Sequence, residues 1–265
     1  SELFSFSFPI VIVNRDISVR PAWLCPLVGF LCFVILVPGI LLAQTEVEGE
    51  VSGVWDIDGS PYIVVDRLSV GVEDQLLIEE GVEVYVQDTI SVYIHGVLNV
   101  SGSQDARVVI CQDPNNEQPW NGIFFDNPAT TSTLQFADIS DCQICITVSQ
   151  EHDLELLNCN FNGIEQAVNH DNVQAEQSRV QTTNCNFTSL EAGPTFSLQG
   201  QLVAEDCSFS SGEDGRTILV RGLLRLTNCI IEGDVLGDLC AMQILDCTFF
   251  LAEESEMPTI SGSIL

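Results

Sequence analysis

Residues 157–161 read Leu-Asn-Cys-Asn-Phe, and close copies of this phrase return at 183–187, 205–209, 227–231 and 245–249. The cysteines of successive copies are 26, 22, 22 and 18 residues apart. A recurrence of this length, built from strand-forming side chains, is typical of a solenoid, in which each repeat buries its apolar face only by stacking on its neighbours. The sequence therefore predicts an all-β fold of stacked parallel turns.

Three copies align over a longer stretch and define the repeat unit. A glycine precedes the cysteine by seven positions in two of them, at Gly200 and Gly222, and residues 259–262 resemble the start of another unit. Each unit is predicted to be a short strand, a glycine bend, a second strand and a polar corner. Strict alternation along the second strand assigns Leu202, Ala204 and Asp206 to one face and Val203, Glu205 and Cys207 to the other.

Stacking in register turns each repeated position into a row about 4.8 Å apart. The cysteines become a column of thiols, and the Phe or Ile two places later becomes an apolar stack. The residue before each cysteine is predicted to form the corner, because Asn and Asp tolerate left-handed backbone. The alternative is a row of ligand-binding amides and carboxylates. The five residues are Asn158, Asn184, Asp206, Asn228 and Asp246.

The first 43 residues are predicted to lie outside the fold. Residues 1–18 carry no repeat and are interpreted as an upstream extension. Arg20, the apolar stretch 22–42 and a small residue at Ala43 have the layout of a secretory signal peptide. An uncleaved membrane anchor is the alternative. At 22 residues per repeat, residues 44–265 predict one domain of about ten rungs, and because its last unit is incomplete we expect the chain to be truncated at the C-terminus.

The upstream turns are less regular but rich in β-branched residues, and glycines punctuate them. Residues 134–139 are interpreted as an earlier copy of the phrase, with Ile139 in the place of the cysteine. Strands are predicted at 61–65, 68–70, 76–78, 82–86, 90–94, 108–110 and 120–125.

A set of short motifs in this region resembles bacterial secreted right-handed parallel β-helix proteins, whose architecture is that of pectate lyases. The resemblance extends from about residue 50 to the end of the chain, and it implies a right-handed, single-stranded β-helix. That family includes carbohydrate-active enzymes and surface proteins, so the resemblance specifies a fold better than an activity. The motifs are Trp55, Pro61-Tyr62, residues 77–82, residues 95–98 and residues 120–123.

The strong negative charge of the chain limits the classes of partner that it can bind. The chain has 38 acidic residues, 8 Lys+Arg and a net charge of −30. Such a surface repels phosphates, so we expect no nucleic-acid partner and no membrane contact except through an uncleaved signal segment. The expected partners are extracellular polysaccharide or cell-surface components, and the expected state is a secreted or surface-attached monomer.

Cysteine usage raises the question of disulfides. An extracellular location favours them, but stacked neighbours have parallel Cβ directions about 4.8 Å apart, whereas a disulfide needs about 3.8 Å. The repeated cysteines are therefore predicted to be free thiols that act as small buried hydrophobes. Cys142 and Cys145 are the exception, since their spacing suits a redox or metal pair. No second pair accompanies them, so a zinc site is not favoured.

No catalytic motif of polygalacturonases or alginate epimerases is present, and the catalytic residues stay unknown. The strongest candidates are an acidic loop beside a cluster of arginines, although corner arginines paired with acids are the simpler interpretation. Trp55 and Trp120 are candidate platforms for sugar stacking, with structural roles as the alternative. The catalytic candidates are Glu213, Asp214, Arg216 and Arg221.

We expect no cofactor or metal, and calcium is the one ion that the sequence leaves open. Residues 56–59 and 113–117 contain oxygen ligands without full calcium-loop spacing. The favoured function is a structural or binding module that recognises carbohydrate. The alternative is a polysaccharide lyase or glycoside hydrolase with its site in a lateral groove, for which loops 112–119 and 170–179 are the candidate walls.

Overall fold

The computed structural model shows an all-β parallel solenoid of about eight turns. It describes residues 44–126, 130–148, 152–170, 178–191, 194–212, 216–237, 241–250 and 260–261. The predicted extension and signal peptide at 1–43 lie outside the described residues. Within the described ranges, no helix combines the length and the apolar character that a membrane span requires.

The strands pair in parallel and form three columns, which the chain visits in the same order on every turn. One short 3₁₀ turn covers Ile57–Gly59. The strands are β1 Thr45–Glu50, β2 Gly53–Trp55, β3 Tyr62–Val70, β4 Gln75–Glu79, β5 Glu83–Val86, β6 Ser91–Ile94, β7 Val97–Ser101, β8 Val108–Gln112, β9 Gly122–Phe125, β10 Thr131–Gln135, β11 Ala137–Val148, β12 Asp153–Leu157, β13 Asn160–His170, β14 Arg179–Thr183, β15 Asn186–Ser189, β16 Phe196–Glu205, β17 Ser208–Ser210, β18 Arg216–Thr227, β19 Ile230–Glu232, β20 Asp234–Gly237, β21 Ala241–Leu245, β22 Thr248–Phe250 and β23 Ile260–Ser261.

The first column contains β2, β4, β7, β10, β12, β14, the ends of β16 and β18, and β21. Its strands delimit the eight turns. The prediction of about ten rungs was too high, because some turns are longer than the 22-residue repeat. Asn99 pairs with Thr133, 34 positions later, and Leu154 pairs with Val180, 26 positions later.

The core is a continuous stack of inward-facing side chains. The rings of Phe161, Phe187 and Phe209 lie one above the other, with successive centroids 5.1 and 5.0 Å apart and planes within 10° of parallel. The parallel pairing of the next strands places Ile231 and then Phe249 in the same row. This confirms the predicted apolar stack. Burial of each such side chain contributes about 1.5–3 kcal/mol.

Two predictions of register were wrong. Leu202, Ala204 and Cys207 are all buried, whereas Asp206 is exposed, because the left-handed backbone at Asp206 interrupts the alternation. Ile139 pairs with Phe161 and therefore occupies the aromatic position. The place of the cysteine in that turn belongs to Ala137, two residues earlier.

The glycine bend is confirmed at Gly200 and Gly222, which pair with each other in the stack. Their φ values are +135° and +131°. A Cβ on Gly222 would lie 2.2 Å from the carbonyl oxygen of Gly200. Both the backbone conformation and the close approach of neighbouring turns therefore require glycine.

Candidate functional site

The corner between the first and second columns is formed by a row of left-handed residues. The φ values of Asn158, Asn184, Asp206, Asn228 and Asp246 all lie between +52° and +55°. This confirms that the residue before each repeated cysteine makes the corner. The bend turns the chain so that the outer faces of the two columns meet at an angle.

The thiol that follows the corner residue hydrogen-bonds to backbone groups at the bend. The Cys207 thiol donates to the Glu205 carbonyl at 3.1 Å and accepts from the Cys185 amide at 3.5 Å. The Cys185 thiol likewise donates to the Thr183 carbonyl and accepts from the Cys159 amide, both at 3.3 Å. A buried cysteine is thus a donor and an acceptor at this position, as well as a small apolar group.

All five repeated cysteines are free thiols, as predicted. Their contact with each other moves their pKa values. The contact between Cys159 and Cys185 raises the pKa of Cys185 to about 11 and lowers the pKa of Cys159. The contact between Cys207 and Cys185, together with burial, raises the pKa of Cys207 to about 11. Cys185 and Cys207 are therefore un-ionised at neutral pH and are poor nucleophiles.

A groove of about 700 Å³ follows this corner. Its lining comes from two parallel rows. One comprises four members of the left-handed row, Asn158, Asn184, Asp206 and Asn228. The other is the outward-facing row that opens the second column, in which Asn160, Asn186, Ser208, Ile230 and Thr248 pair in register. We call it the corner groove. Because each turn adds one residue to each row, the groove presents a repeating pattern of polar side chains that Ile230 interrupts.

Side chains within each row bond to the turn above or below. Nδ2 of Asn184 donates to Oδ1 of Asn158 at 2.6 Å, and Nδ2 of Asn228 donates to Asp206. In the second row, the Ser208 hydroxyl donates to Oδ1 of Asn186. These bonds use one polar group of each amide, so Oδ1 of Asn184 and Nδ2 of Asn186 stay available at the surface of the groove.

Arg107 closes one end of the corner groove. Its guanidinium donates to the Asp138 carboxylate at 2.8 Å and to the carbonyl oxygens of Ala137 and Asn158 at 3.1 and 2.8 Å. It also lies 5.8 Å from the ring centroid of Phe136, the aromatic member of the lining. These contacts fix the guanidinium in place and neutralise it against Asp138.

The lining is nearly free of net charge. Its ionisable members, apart from the buried thiols, are Arg107 and Asp206. The chain as a whole carries −30. The corner groove is therefore an uncharged, hydrogen-bonding strip on a strongly acidic protein.

Of the four catalytic candidates, the structure describes the side chain of Arg221 alone. Glu213 and Asp214 fall outside the described residues. Arg216 begins β18, and its side chain is likewise not described. Arg221 is exposed beside the glycine bend in the middle of β18, and it does not belong to the lining of the corner groove.

The two candidate sugar platforms are buried. Trp55 is 6% exposed and stacks on Tyr62 with ring centroids 4.5 Å apart. Trp120 is 0% exposed, and its Nε1 donates to the Ser140 carbonyl at 2.9 Å. Neither ring offers the open face that a sugar stacks on, so the structure gives the platform role no support.

The candidate calcium ligands act as turn caps. Oδ1 of Asp56 accepts from the amides of Asp58 and Gly59, and Oδ1 of Asp113 accepts from the amide and side chain of Asn115. Across the described ranges, no group of three or more His, Cys, Asp or Glu side chains is arranged to hold a metal ion. The oxygen atoms of these turns that face solvent are the remaining candidates for calcium.

A serine–histidine contact lies inside the solenoid. Nε2 of His152 is 3.0 Å from the Ser132 hydroxyl, and Nδ1 is 3.0 Å from the Thr130 hydroxyl. The Ser132 oxygen also accepts from the Leu98 amide. Ser132 and His152 are both 0% exposed, so no substrate reaches the hydroxyl and the contact serves the core.

Two smaller concavities accompany the candidate loop at 112–119. One, of about 500 Å³, contains Arg67, whose guanidinium covers the Tyr93 ring at 4.3 Å from its centroid. The other, of about 350 Å³, is lined by Tyr85, Cys111 and Asp113. A hydrogen bond to Glu83 raises the pKa of Tyr85 to about 12, and burial raises that of Cys111 to about 11. Neither group is activated for catalysis near neutral pH.

The sequence contained a signal for the corner groove that strand periodicity does not reveal. The residue after each cysteine is polar in Asn160, Asn186, Ser208 and Thr248, so the repeated phrase has polar side chains on both sides of the thiol. Only the left-handed bend makes those two positions neighbours on a concave surface.

Comparison of the chain with protein-family models, with curated proteins and with solved structures finds no match. The likeness to secreted β-helix proteins therefore rests on the sequence motifs and on the solenoid fold.

Proposed function

We propose that this chain is a secreted or cell-surface β-solenoid of bacterial type that binds an extended, uncharged polysaccharide along the corner groove. The observation that carries the proposal is the pair of in-register polar rows with almost no net charge. The solenoid supplies a rigid support, and binding requires no catalytic group.

Neutral sugar chains suit this surface for two reasons. Their hydroxyls donate and accept hydrogen bonds, and the lining provides acceptors such as Asn184 Oδ1 beside donors such as Asn186 Nδ2. The ligand is also a repeating polymer, and the groove repeats at about 4.8 Å per turn, the spacing of stacked strands. Polyanions are disfavoured, because the surrounding surface is strongly negative.

Phe136 and Arg107 define the end at which a chain would terminate or leave the groove. The Phe136 ring provides an apolar surface among amides, which is the kind of contact that the apolar face of a sugar makes. The Arg107 guanidinium is already engaged by Asp138, so it adds hydrogen-bonding capacity there without attracting anions.

Location outside the cell is supported by the predicted signal segment at 22–42 and by the acidic composition. Both are sequence arguments. Expression of the full chain with a C-terminal reporter, followed by fractionation and N-terminal sequencing, tests secretion and cleavage after Ala43 together.

The binding proposal is tested by titrating the purified chain with soluble neutral polysaccharides, including β-glucans, mannans and xylans, and with polygalacturonate and alginate. We expect binding to a neutral polymer and none to the acidic ones.

Asn186→Ala removes an outward amide from the groove and is expected to weaken binding about fivefold, the effect of losing one hydrogen bond of about 1 kcal/mol. Gln201→Ala, an exposed position on the outer face of β16, is the matched control and should leave affinity unchanged. Binding of acidic polymers alone, or equal effects of the two variants, would refute the proposal.

Catalysis on polysaccharide is the second candidate, and it rests on the acidic loop at 213–214 beside Arg216 and Arg221. Retaining and inverting glycosidases use two carboxyl groups about 5–10 Å apart. The described lining of the corner groove supplies one, Asp206, so an active site would have to lie at that loop instead. Release of reducing or unsaturated ends that disappears in Arg216→Ala or Arg221→Ala would establish the enzyme and replace the binding-module proposal.

A further inference from the structure

Cys142 and Cys145 meet inside the solenoid because β11 is irregular. Residues three apart on a regular strand point to opposite faces. In β11 the register with β13 shifts on both sides of Cys142, between Ser140 and Cys142 and again between Cys142 and Ile144. Both cysteines consequently face the core, and each is 0% exposed.

The two sulfur atoms lie 2.8 Å apart. That separation is only about 0.8 Å longer than the S–S bond of a disulfide. Other contacts of the sulfurs are longer: Cys142 Sγ is 4.0 Å from the Asn162 carbonyl oxygen, and Cys145 Sγ is 3.7 Å from that of Ile139. Each thiol is therefore the nearest polar partner of the other.

The repeated cysteines differ in this respect. Each of their thiols donates to the carbonyl two residues earlier at 3.1–3.3 Å, and the amide of a neighbouring cysteine donates to most of them. Oxidation of two such thiols would remove these bonds and would pull together side chains held one strand spacing apart. The 142–145 pair has neither obstacle.

We propose that Cys142 and Cys145 form an internal disulfide when the chain folds in an oxidising compartment, while the thiols of the repeated column stay reduced. The disulfide would close the irregular segment of β11 against Trp120, which pairs with Cys142. A bound metal ion is a poorer explanation of the pair, because the described side chains around it supply no third ligand.

The reaction is thiol–disulfide exchange with a small disulfide. One thiolate attacks the small disulfide, which forms a mixed disulfide and releases one small thiol. The second thiolate then attacks the protein sulfur, which closes the internal bond and releases the second small thiol. Two protein thiols are oxidised and one small disulfide is reduced. Exchange must precede burial, because in the folded chain desolvation raises the pKa of Cys142 and both sulfurs are inaccessible.

The test uses the full chain, unfolded in reductant and then refolded either with glutathione disulfide or with excess dithiothreitol. Each sample is unfolded again in iodoacetamide and analysed by peptide mass mapping. We expect the peptide spanning Cys142 and Cys145 to escape alkylation and to lack two hydrogens only after refolding with glutathione disulfide. Cys159, Cys185, Cys207 and Cys229 should be alkylated in both samples.

Variants separate this bond from non-specific oxidation. Cys145→Ser should leave Cys142 alkylated or glutathionylated, whereas Cys111→Ser should leave the internal bond intact. Circular dichroism on the same samples confirms that each refolded chain has regained its β structure. Full alkylation of both Cys142 and Cys145 in wild-type chain refolded with glutathione disulfide would overturn the proposal, and so would a bond that joins either residue to the repeated column.

Discussion

At the residue scale, the repeated cysteine is explained by hydrogen bonding as much as by size. Replacement of Cys207 by alanine removes the acceptor of the buried Cys185 amide and one of two donors to the Glu205 carbonyl, which keeps its bond from the Asn184 amide. We expect Cys207→Ala to lower the free energy of unfolding by about 1–3 kcal/mol, the cost of leaving one buried amide donor unpaired. Cys207→Ser keeps both functions in a slightly smaller side chain and should cost less. Urea denaturation followed by circular dichroism measures both values.

Cys111→Ala is the control for that comparison, since Cys111 is half-buried and lies outside the column. Of the three variants, Cys111→Ala should lower the free energy of unfolding least. If serine proves as damaging as alanine, the thiol matters through its volume, and the hydrogen-bonding role is wrong.

The sequence predicted a column of free thiols correctly. It placed Cys207 on the wrong face relative to Leu202, because alternation holds only while the backbone stays extended and Asp206 leaves that region.

At the element scale, the corner depends on a backbone conformation that most residues avoid. Asn184 has a φ of +53°. Alanine in left-handed backbone costs about 1–2 kcal/mol, and glycine avoids that cost. We therefore expect Asn184→Ala to destabilise the solenoid by that amount relative to Asn184→Gly in urea denaturation. Both variants lose the bond from Asn184 to Asn158, so the difference between them isolates the backbone. Equal stability would mean that the corner relaxes into another conformation.

The register of whole strands was harder to predict than their existence. The predicted strands of the early turns all exist, since β-branched runs between glycines have few alternatives. The predicted register placed Ile139 at the position that Ala137 occupies, an error of two residues. A shift of two residues leaves the same face of the strand inward, so the periodicity of the sequence cannot detect it. The length of a turn was equally hard to predict. The turn from Asn99 to Thr133 spans 34 residues because it contains the segment at 112–121, and the repeat does not determine the length of that segment.

At the scale of the whole molecule, the fold was predictable and the groove was not. A repeat implies stacking, because one unit cannot bury its apolar face alone. The corner groove exists only once the left-handed bend has set two rows at an angle and stacking has extended them over several turns. Its low net charge is likewise a property of the assembly. The lining contains one acidic residue, Asp206, and the other polar positions of the two rows are mostly amides and hydroxyls.

That charge distribution leads to a prediction about salt. A net charge of −30 on one chain opposes the compact state by self-repulsion. Screening shortens the reach of that repulsion from about 30 Å at 0.01 M salt to about 8 Å at 0.15 M. We expect the thermal midpoint to rise by about 4–8 °C over this range, which corresponds to about 2 kcal/mol for a chain of this size. Thermal denaturation followed by circular dichroism measures the shift.

Choice of salt distinguishes screening from specific binding of a cation. Sodium chloride and calcium chloride compared at equal ionic strength should give similar midpoints if repulsion alone is relieved. A clearly larger rise with calcium would instead indicate a bound ion, and Asp56→Asn and Asp113→Asn would then locate it at one of the two capped turns. A midpoint that is unchanged or falls as sodium chloride is added would show that the carboxylates are spaced widely enough for their repulsion not to limit stability.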